Sequence, residues 1–80
     1  MTPEEYAKMH KTAFRVAFDF LNAHFPPGTT DEWWIQSAKE LAVAGGDADE
    51  TSLVAELLGG VYSYLSNEHK RRMKDGTADN

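Results

Sequence analysis

Two short runs of helix-breaking residues divide this chain of 80 residues into three segments. The run Pro26-Pro27-Gly28 ends the first segment, and the pair Gly45-Gly46 ends the second. Proline cannot continue a helix, and glycine readily adopts the left-handed conformation that stops one. No segment shows the two-residue alternation of polar and apolar side chains that is typical of strands. The sequence therefore predicts an all-α fold, and three helices with short connections indicate an antiparallel three-helix bundle.

Capping residues mark the expected starts of the first two helices. Thr2 and Glu5 match a capping box, in which each side chain accepts a hydrogen bond from the backbone N–H of the other residue. Thr29 or Thr30 is the expected cap of the second helix, because a threonine oxygen can accept one of its unpaired N–H groups.

The third helix is expected to begin at an aspartate cap, either Asp47 or Asp49. The sequence then predicts one domain, 1–74, followed by a disordered tail, 75–80. The expected helices cover residues 3–25, 31–44 and 49–73.

The apolar faces of the predicted helices are wider than a small bundle needs. On a helical wheel, the first and third helices each carry an apolar arc of about 200°. The expected core face of the second helix consists of Trp34, Ile35, Ala38, Leu41 and Ala42. Trp33 lies about 140° from the centre of that face, so it is left outside the core. Its ring either covers the turn at Pro26 and Pro27 or anchors a partner.

Spare apolar helix surface predicts a protein interface. Most soluble oligomers are symmetric, and the homodimer is the commonest form, so we expect a second copy as partner, with another protein as the alternative. The side chains expected in the interface are Trp33, Phe14, Phe18, Tyr62 and Tyr64. The opposing interpretation is a complete monomer whose phenylalanines wrap around a small core.

The pair Gly59-Gly60 interrupts the third helix. Glycine costs a helix interior about 1 kcal/mol relative to alanine. Close approach of another backbone, a local kink or simple tolerance would each account for the pair, and the sequence leaves all three open.

No recognisable catalytic, cofactor-binding or metal-binding pattern occurs in the sequence. His10 and His24 share the apolar side of the first helix, but about 21 Å of helix separates them, so they cannot bind one metal ion together. The stretch DADETSLVAELL begins like a calcium loop, yet it has Ser52 and Leu58 where that loop needs glycine and glutamate. We therefore expect no enzyme activity, no cofactor and no metal site.

The net charge of −5 is concentrated in residues 25–56, which carry seven acids against Lys39. One alternative function is therefore an inhibitor that mimics nucleic acid with an acidic patch. Its residues would be Asp31, Glu32, Glu40, Asp47, Asp49 and Glu50. Another alternative is a regulator that binds nucleic acid through the basic end of the third helix, Lys70, Arg71, Arg72 and Lys74. Acids at the leading end of that helix would repel a polyanion, so we do not expect nucleic acid as a partner.

Several features indicate a cytoplasmic protein. Cysteine is absent, which fits a reducing compartment. The first residues, MTPEEYAKMHK, lack the basic and then apolar pattern of a secretory signal. Charged residues interrupt every apolar stretch well short of the roughly 20 residues that a membrane span needs, so we expect no membrane insertion.

The stretch AFDFLNAHFPPGT, followed by EWW, resembles short, uncharacterised acidic helical proteins encoded by bacterial mobile elements and prophages. The resemblance covers chiefly residues 14–34 and transfers no catalytic or binding residue. Similar small acidic proteins include inhibitors that occupy nucleic-acid sites on host enzymes. By analogy, the acidic middle of this chain would suit such a role.

Overall fold

The computed structural model describes the backbone of residues 1–78 and the side chains of residues 1–74. It contains three helices and, within residues 1–78, no strand, which confirms the predicted all-α class. The predicted tail, 75–80, lies outside the residues whose side chains are described. The helices are α1 (Pro3–His24), α2 (Asp31–Gly45) and α3 (Leu53–Ala78).

The helices form an up-down-up bundle. Near their starts, α1 and α3 face each other across a groove lined by Met9 and Val54. Near the other end of α1, the ring of Phe25 stacks on that of Tyr64 in α3. The last turn of α2 contributes Ala44 to the first groove, so α2 runs opposite to both neighbours. The contact between α1 and α3 is the most extensive of the three.

The bundle is elongated, with extents of 56 × 20 × 19 Å and a radius of gyration of 15.0 Å. A compact domain of this length has a radius of gyration of about 12 Å. The longest helix, α3, spans only about 39 Å at 1.5 Å per residue. The helices are therefore displaced along the long axis. Because Met9 faces the start of α3, the turns of α1 before Met9 project beyond the first residues of α3.

The fully buried core is small and comes almost entirely from α1 and α3. Phe20, Leu58 and Leu65 form its centre, and Ala13 and Ala17 lie where α1 approaches its neighbours most closely. Partly buried side chains surround this centre: Val16, Leu21, Trp34, Leu41, Ala44, Val54 and Val61. A core of this size leaves much of the apolar surface of α1 in contact with water.

The predicted caps of α1 and α2 are confirmed. The N–H of Glu5 donates to the hydroxyl of Thr2, and the N–H of Thr2 donates to the carboxylate of Glu5. That second bond holds the pKa of Glu5 below its ordinary value. The hydroxyl of Thr30 accepts from the N–H of Trp33, and Gly46 ends α2 with a φ of 57°.

The predicted start of α3 at an aspartate cap is wrong, because α3 begins at Leu53. The carboxylate of Asp49 accepts hydrogen bonds from the N–H and the hydroxyl of Thr51, which lowers the pKa of Asp49. That carboxylate therefore holds a turn before the helix. The hydroxyl of Ser52 accepts the N–H of Ala55, as a helix cap does.

The predicted core face of α2 is confirmed for Trp34 and Leu41, which pack against the core, and is wrong for its other three residues. Ile35 is 58% exposed, and Ala38 and Ala42 lie on the same exposed side. Ser37 is instead buried, at 2% exposure. The inner face consists of Trp33, Trp34, Ser37, Glu40, Leu41 and Ala44. At 100° per residue, α2 is thus rotated by about 90° from the orientation that apolar residues alone predict.

The helix α3 passes through the pair Gly59-Gly60 without interruption. Both glycines are exposed, and a Cβ added to either one would meet no other atom within 4 Å. No neighbouring backbone of the described chain therefore requires glycine at these positions, and of the three explanations for the pair, simple tolerance agrees best with the structure.

Replacing Gly59 with alanine should stabilise the protein by about 1 kcal/mol, because alanine restricts the unfolded chain and fits the open helix surface. Urea unfolding followed by circular dichroism measures the difference. A destabilised variant would show that the backbone at Gly59 has a role that its open surroundings do not reveal.

The rotation of α2 can be tested with two substitutions. Leu41→Ala should cost about 2 kcal/mol of unfolding free energy, because Leu41 packs against the core. Ile35→Ala should change it by less than about 0.5 kcal/mol, because Ile35 faces solvent. Thermal or urea unfolding measures both changes. Equal losses of unfolding free energy would instead support the predicted orientation of α2, in which both residues belong to the core.

Candidate protein-interaction surface

The structure separates the five side chains expected in an interface into two groups. Trp33 and Tyr62 are partly buried, and both rings pack against the ring of Trp34. We call this cluster, which His69 completes, the aromatic corner. Phe14, Phe18 and Tyr64 are exposed on the side of α1 and α3 that no other helix covers. Only the second group is available in full to a partner.

The aromatic corner fixes the start of α2 against the preceding loop and α3. The indole N–H of Trp34 donates to the carbonyl of Gly28, with 3.1 Å between nitrogen and oxygen. The hydroxyl of Tyr62 donates to the backbone carbonyl of Trp34 at 3.3 Å, and the two rings meet edge to face. The ring of His69 lies 5.3 Å from that of Trp34. The loop and α3 therefore both contact the indole ring of Trp34.

Trp33 covers the loop before α2. Its ring lies so close to Gly28 that a Cβ there would overlap it, and it meets the ring of Trp34 edge to face at 4.7 Å. The structure thus places this ring over the turn, the first of the two alternatives that the sequence leaves open for Trp33. The loop needs glycine at position 28 because the indole occupies the space of a side chain.

A partly buried polar pair joins α1 to α2 beside this corner. The ring of His24 stacks on Phe20 at 3.9 Å, and its Nδ1 lies 2.7 Å from the Phe20 carbonyl. Its Nε2 lies 3.1 Å from a carboxylate oxygen of Glu40. Both ring nitrogens therefore lie within hydrogen-bond distance of an oxygen atom. Glu40, an expected member of the acidic patch, therefore has a structural partner.

An apolar strip, which we call the α1 face, runs along the open side of α1. It consists of Phe14, Phe18, Leu21 and Phe25, together with Tyr64 of α3. Phe14 is 59% exposed and Phe18 is 62% exposed. Phe14, Phe18 and Leu21 lie in α1 at a spacing of 4 and 3 residues, which is that of the seam between two packed helices, and Phe25 follows as the C-cap.

One end of the α1 face is held rigidly. Leu21, Asn22, Phe25 and Tyr64 line a cleft of about 210 Å³. The rings of Phe25 and Tyr64 stack with their centres 6.2 Å apart, and the guanidinium of Arg72 lies 5.4 Å from the Phe25 ring. The cleft is therefore formed before any partner arrives, which reduces the entropic cost of binding there.

The structure does not bring the expected acidic patch together. Asp31 and Glu32 lie in the first turn of α2, whereas 47–50 lies beyond its last turn. The length of α2 separates these groups by about 21 Å. Glu40, between them, contacts His24.

The basic end of α3 is partly neutralised by its own neighbours. Arg71 and Arg72 both contact the carboxylate of Glu68, at 2.8 and 3.3 Å. The hydrogen bonds and charges of these arginines, that of Arg71 first, lower the pKa of Glu68. Lys70 and Lys74 are exposed on the same turns. The arginines thus already have partners that a phosphate would have to displace.

Sequence reasoning missed two members of the α1 face, Leu21 and Phe25. Both belong to the wide apolar arc of the first helix, but an arc by itself does not say which edge the other helices leave open. The spacing of these residues from Phe14 and Phe18 is the signal that could have found them.

Comparison with known proteins adds no relative, since no family model, no curated protein and no solved structure matches the chain. Among the described residues, no helix has the length and apolar character required to cross a membrane. The same part of the chain contains no group of three or more acidic, histidine or cysteine side chains that could hold a metal ion.

Replacing Gly28 with alanine should displace the Trp33 ring, because the new methyl group and the indole cannot occupy the same space. We expect a loss of about 1–3 kcal/mol in unfolding free energy, which is typical of overpacking, and a red shift of tryptophan fluorescence. Gly60→Ala is the matched control, since a Cβ there meets nothing. A Gly28→Ala protein with unchanged stability and fluorescence would place the Trp33 ring elsewhere.

Proposed function

We propose that this protein is a non-enzymatic interaction module that associates with a second copy of itself through the α1 face. The observation that carries the proposal is the exposure of Phe14 and Phe18 at helix-seam spacing on one open side of the bundle. Isolated exposed apolar residues are ordinary, but a contiguous apolar strip marks an interaction site.

The surface area of the chain supports association. A compact monomer of 8.9 kDa exposes about 4,800 Å². This chain exposes 6042 Å², an excess of about 1,200 Å² over that expectation. A standard interface removes about 800 Å² from each partner. The projecting helix ends account for part of the excess, and the α1 face supplies apolar surface suited to burial.

The charges beside the α1 face favour one orientation of the second copy. Lys11 and Arg15 lie on the N-terminal half of α1, whereas 16–25 contains no lysine or arginine. A parallel pair of α1 helices would bring these cations together. An antiparallel pair, with the two-fold axis near Phe18, sets each cation beside the C-terminal half of the other α1, where the one nearby cation among the described side chains, Arg72 over the Phe25 ring, is already paired with Glu68. There the helix dipole favours positive charge.

The alternative functions have less support from the described residues. An acidic inhibitor that mimics nucleic acid would have to use two groups of acids at opposite ends of α2. A nucleic-acid-binding α3 would have to release Arg71 and Arg72 from Glu68. We place the interaction module in the cytoplasm, a reducing compartment that suits a chain without cysteine.

Sedimentation of the purified protein over a range of concentrations tests the proposal. The wild-type chain should form a dimer, and the double variant Phe14→Ser, Phe18→Ser should raise the dimer dissociation constant by at least about 30-fold, corresponding to about 2 kcal/mol. Circular dichroism should show that the variant remains helical, because both side chains are exposed.

A matched control removes equally exposed apolar side chains from the other side of the bundle. Ile35→Ser with Val43→Ser should leave the dimer intact, because both residues face outward from α2. The proposal is wrong if the wild-type chain stays monomeric at several hundred micromolar, or if the α2 variant dissociates as readily as the α1 variant.

A further inference from the structure

A second surface feature lies on the side of α1 nearly opposite the α1 face. It is a groove of about 680 Å³ at the end of the bundle where α1 and α3 begin, and we call it the basal groove. All three helices contribute to it. Its apolar lining includes Met9, Ala13, Val16, Ala44, Leu53 and Val54.

The basal groove exists because four small residues meet where larger side chains would fill the space. Ala13 of α1, Ala44 and Gly45 of α2, and Ala48 of the following loop all line it. Met9 and Leu53 are long enough to form walls around this floor of small residues. The volume falls in the range of about 300–1,000 Å³ that small-molecule sites occupy.

The polar groups of the groove are few. Of the residues that the structure describes, Lys8 is the only charged one that lines the groove, and the hydroxyls of Thr12 and Ser52 are the other side-chain polar groups there. Among the described side chains, Lys8 makes no ion pair. The neighbouring Asp49 does not line the groove, and its carboxylate is occupied by Thr51.

We propose that the basal groove binds a free anionic amphiphile, a medium-chain fatty acid, with its chain against the apolar floor and its carboxylate at Lys8. An apolar pocket with one convergent cation matches such a ligand. The ammonium group of a lysine is a compact point charge. A single carboxylate can therefore pair with it without the two parallel hydrogen bonds that an arginine forms. The site does not depend on self-association, because the α1 face lies on the other side of α1.

Calorimetric titration with dodecanoate, kept below its micelle concentration, tests this site. The wild-type chain should bind one molecule per chain. Lys8→Glu should weaken binding by at least about tenfold, because it replaces attraction at the head group with repulsion. The matched control is Lys39→Glu, which makes the same charge change on the outer side of α2 and should leave binding unchanged.

Two further variants locate the chain of the ligand. Ala48 lines the groove at an exposed position, so Ala48→Leu should weaken binding of dodecanoate. Circular dichroism should show that the fold of this variant is unchanged. The double variant Phe14→Ser, Phe18→Ser should bind dodecanoate like the wild type. Loss of binding in that variant would move the ligand to the α1 face and overturn the proposal, whatever the oligomeric state.

The choice of probe tests the chemistry of the head group. Dodecyltrimethylammonium should bind at least about tenfold more weakly than dodecanoate, since it places a cation beside Lys8. Equal or tighter binding of the cationic probe would overturn the proposal. So would saturation by vesicles of anionic phospholipid with no binding of dodecanoate, because the recognised surface would then be a membrane.

Discussion

The hydrogen bond from the Trp34 indole to the Gly28 carbonyl fixes the orientation of α2 in the bundle. It holds the start of α2 against the loop that precedes it, and the Trp33 ring packs on Gly28 of the same loop. With the start of α2 fixed, Glu40 reaches His24 two turns later, and Ser37 is turned inward. The orientation of α2 thus follows from polar contacts as well as from its two tryptophans, and it leaves Ile35 and Val43 facing water.

That orientation has a consequence for stability. Because α2 places a serine and a carboxylate on its inner face, it contributes little apolar area to the core, which α1 and α3 must supply. Burial of apolar surface is the main driving force of folding, at about 25 cal/mol per Å². A chain of this length already buries a modest share of its surface. Burial of the open apolar strip on α1 in the proposed dimer would therefore add to the stability of the fold.

Features decided by neighbouring residues could be predicted from the sequence, and features decided by distant ones could not. The caps at Thr2 and Thr30 and the stop at Gly46 depend on a few adjacent residues, and all three are confirmed. The start of α3 was missed because Thr51 competes for the carboxylate of Asp49. The face of α2 was missed because its partners, Gly28 and His24, lie outside the helix. The exposure of Phe14 and Phe18 followed from counting apolar positions, whereas the basal groove depends on small residues of three separate elements.

The two proposed sites share one structural element, since α1 carries the dimer strip on one side and the wall of the basal groove on the other. A helix of 22 residues with its hydrogen bonds intact behaves as a single stiff rod, so a displacement on one side moves the other. Natural variants of this chain should therefore change the outer side of α2 freely. Along α1, the positions of the strip and of the groove are constrained together, so insertions or deletions between them should be the least tolerated in the molecule.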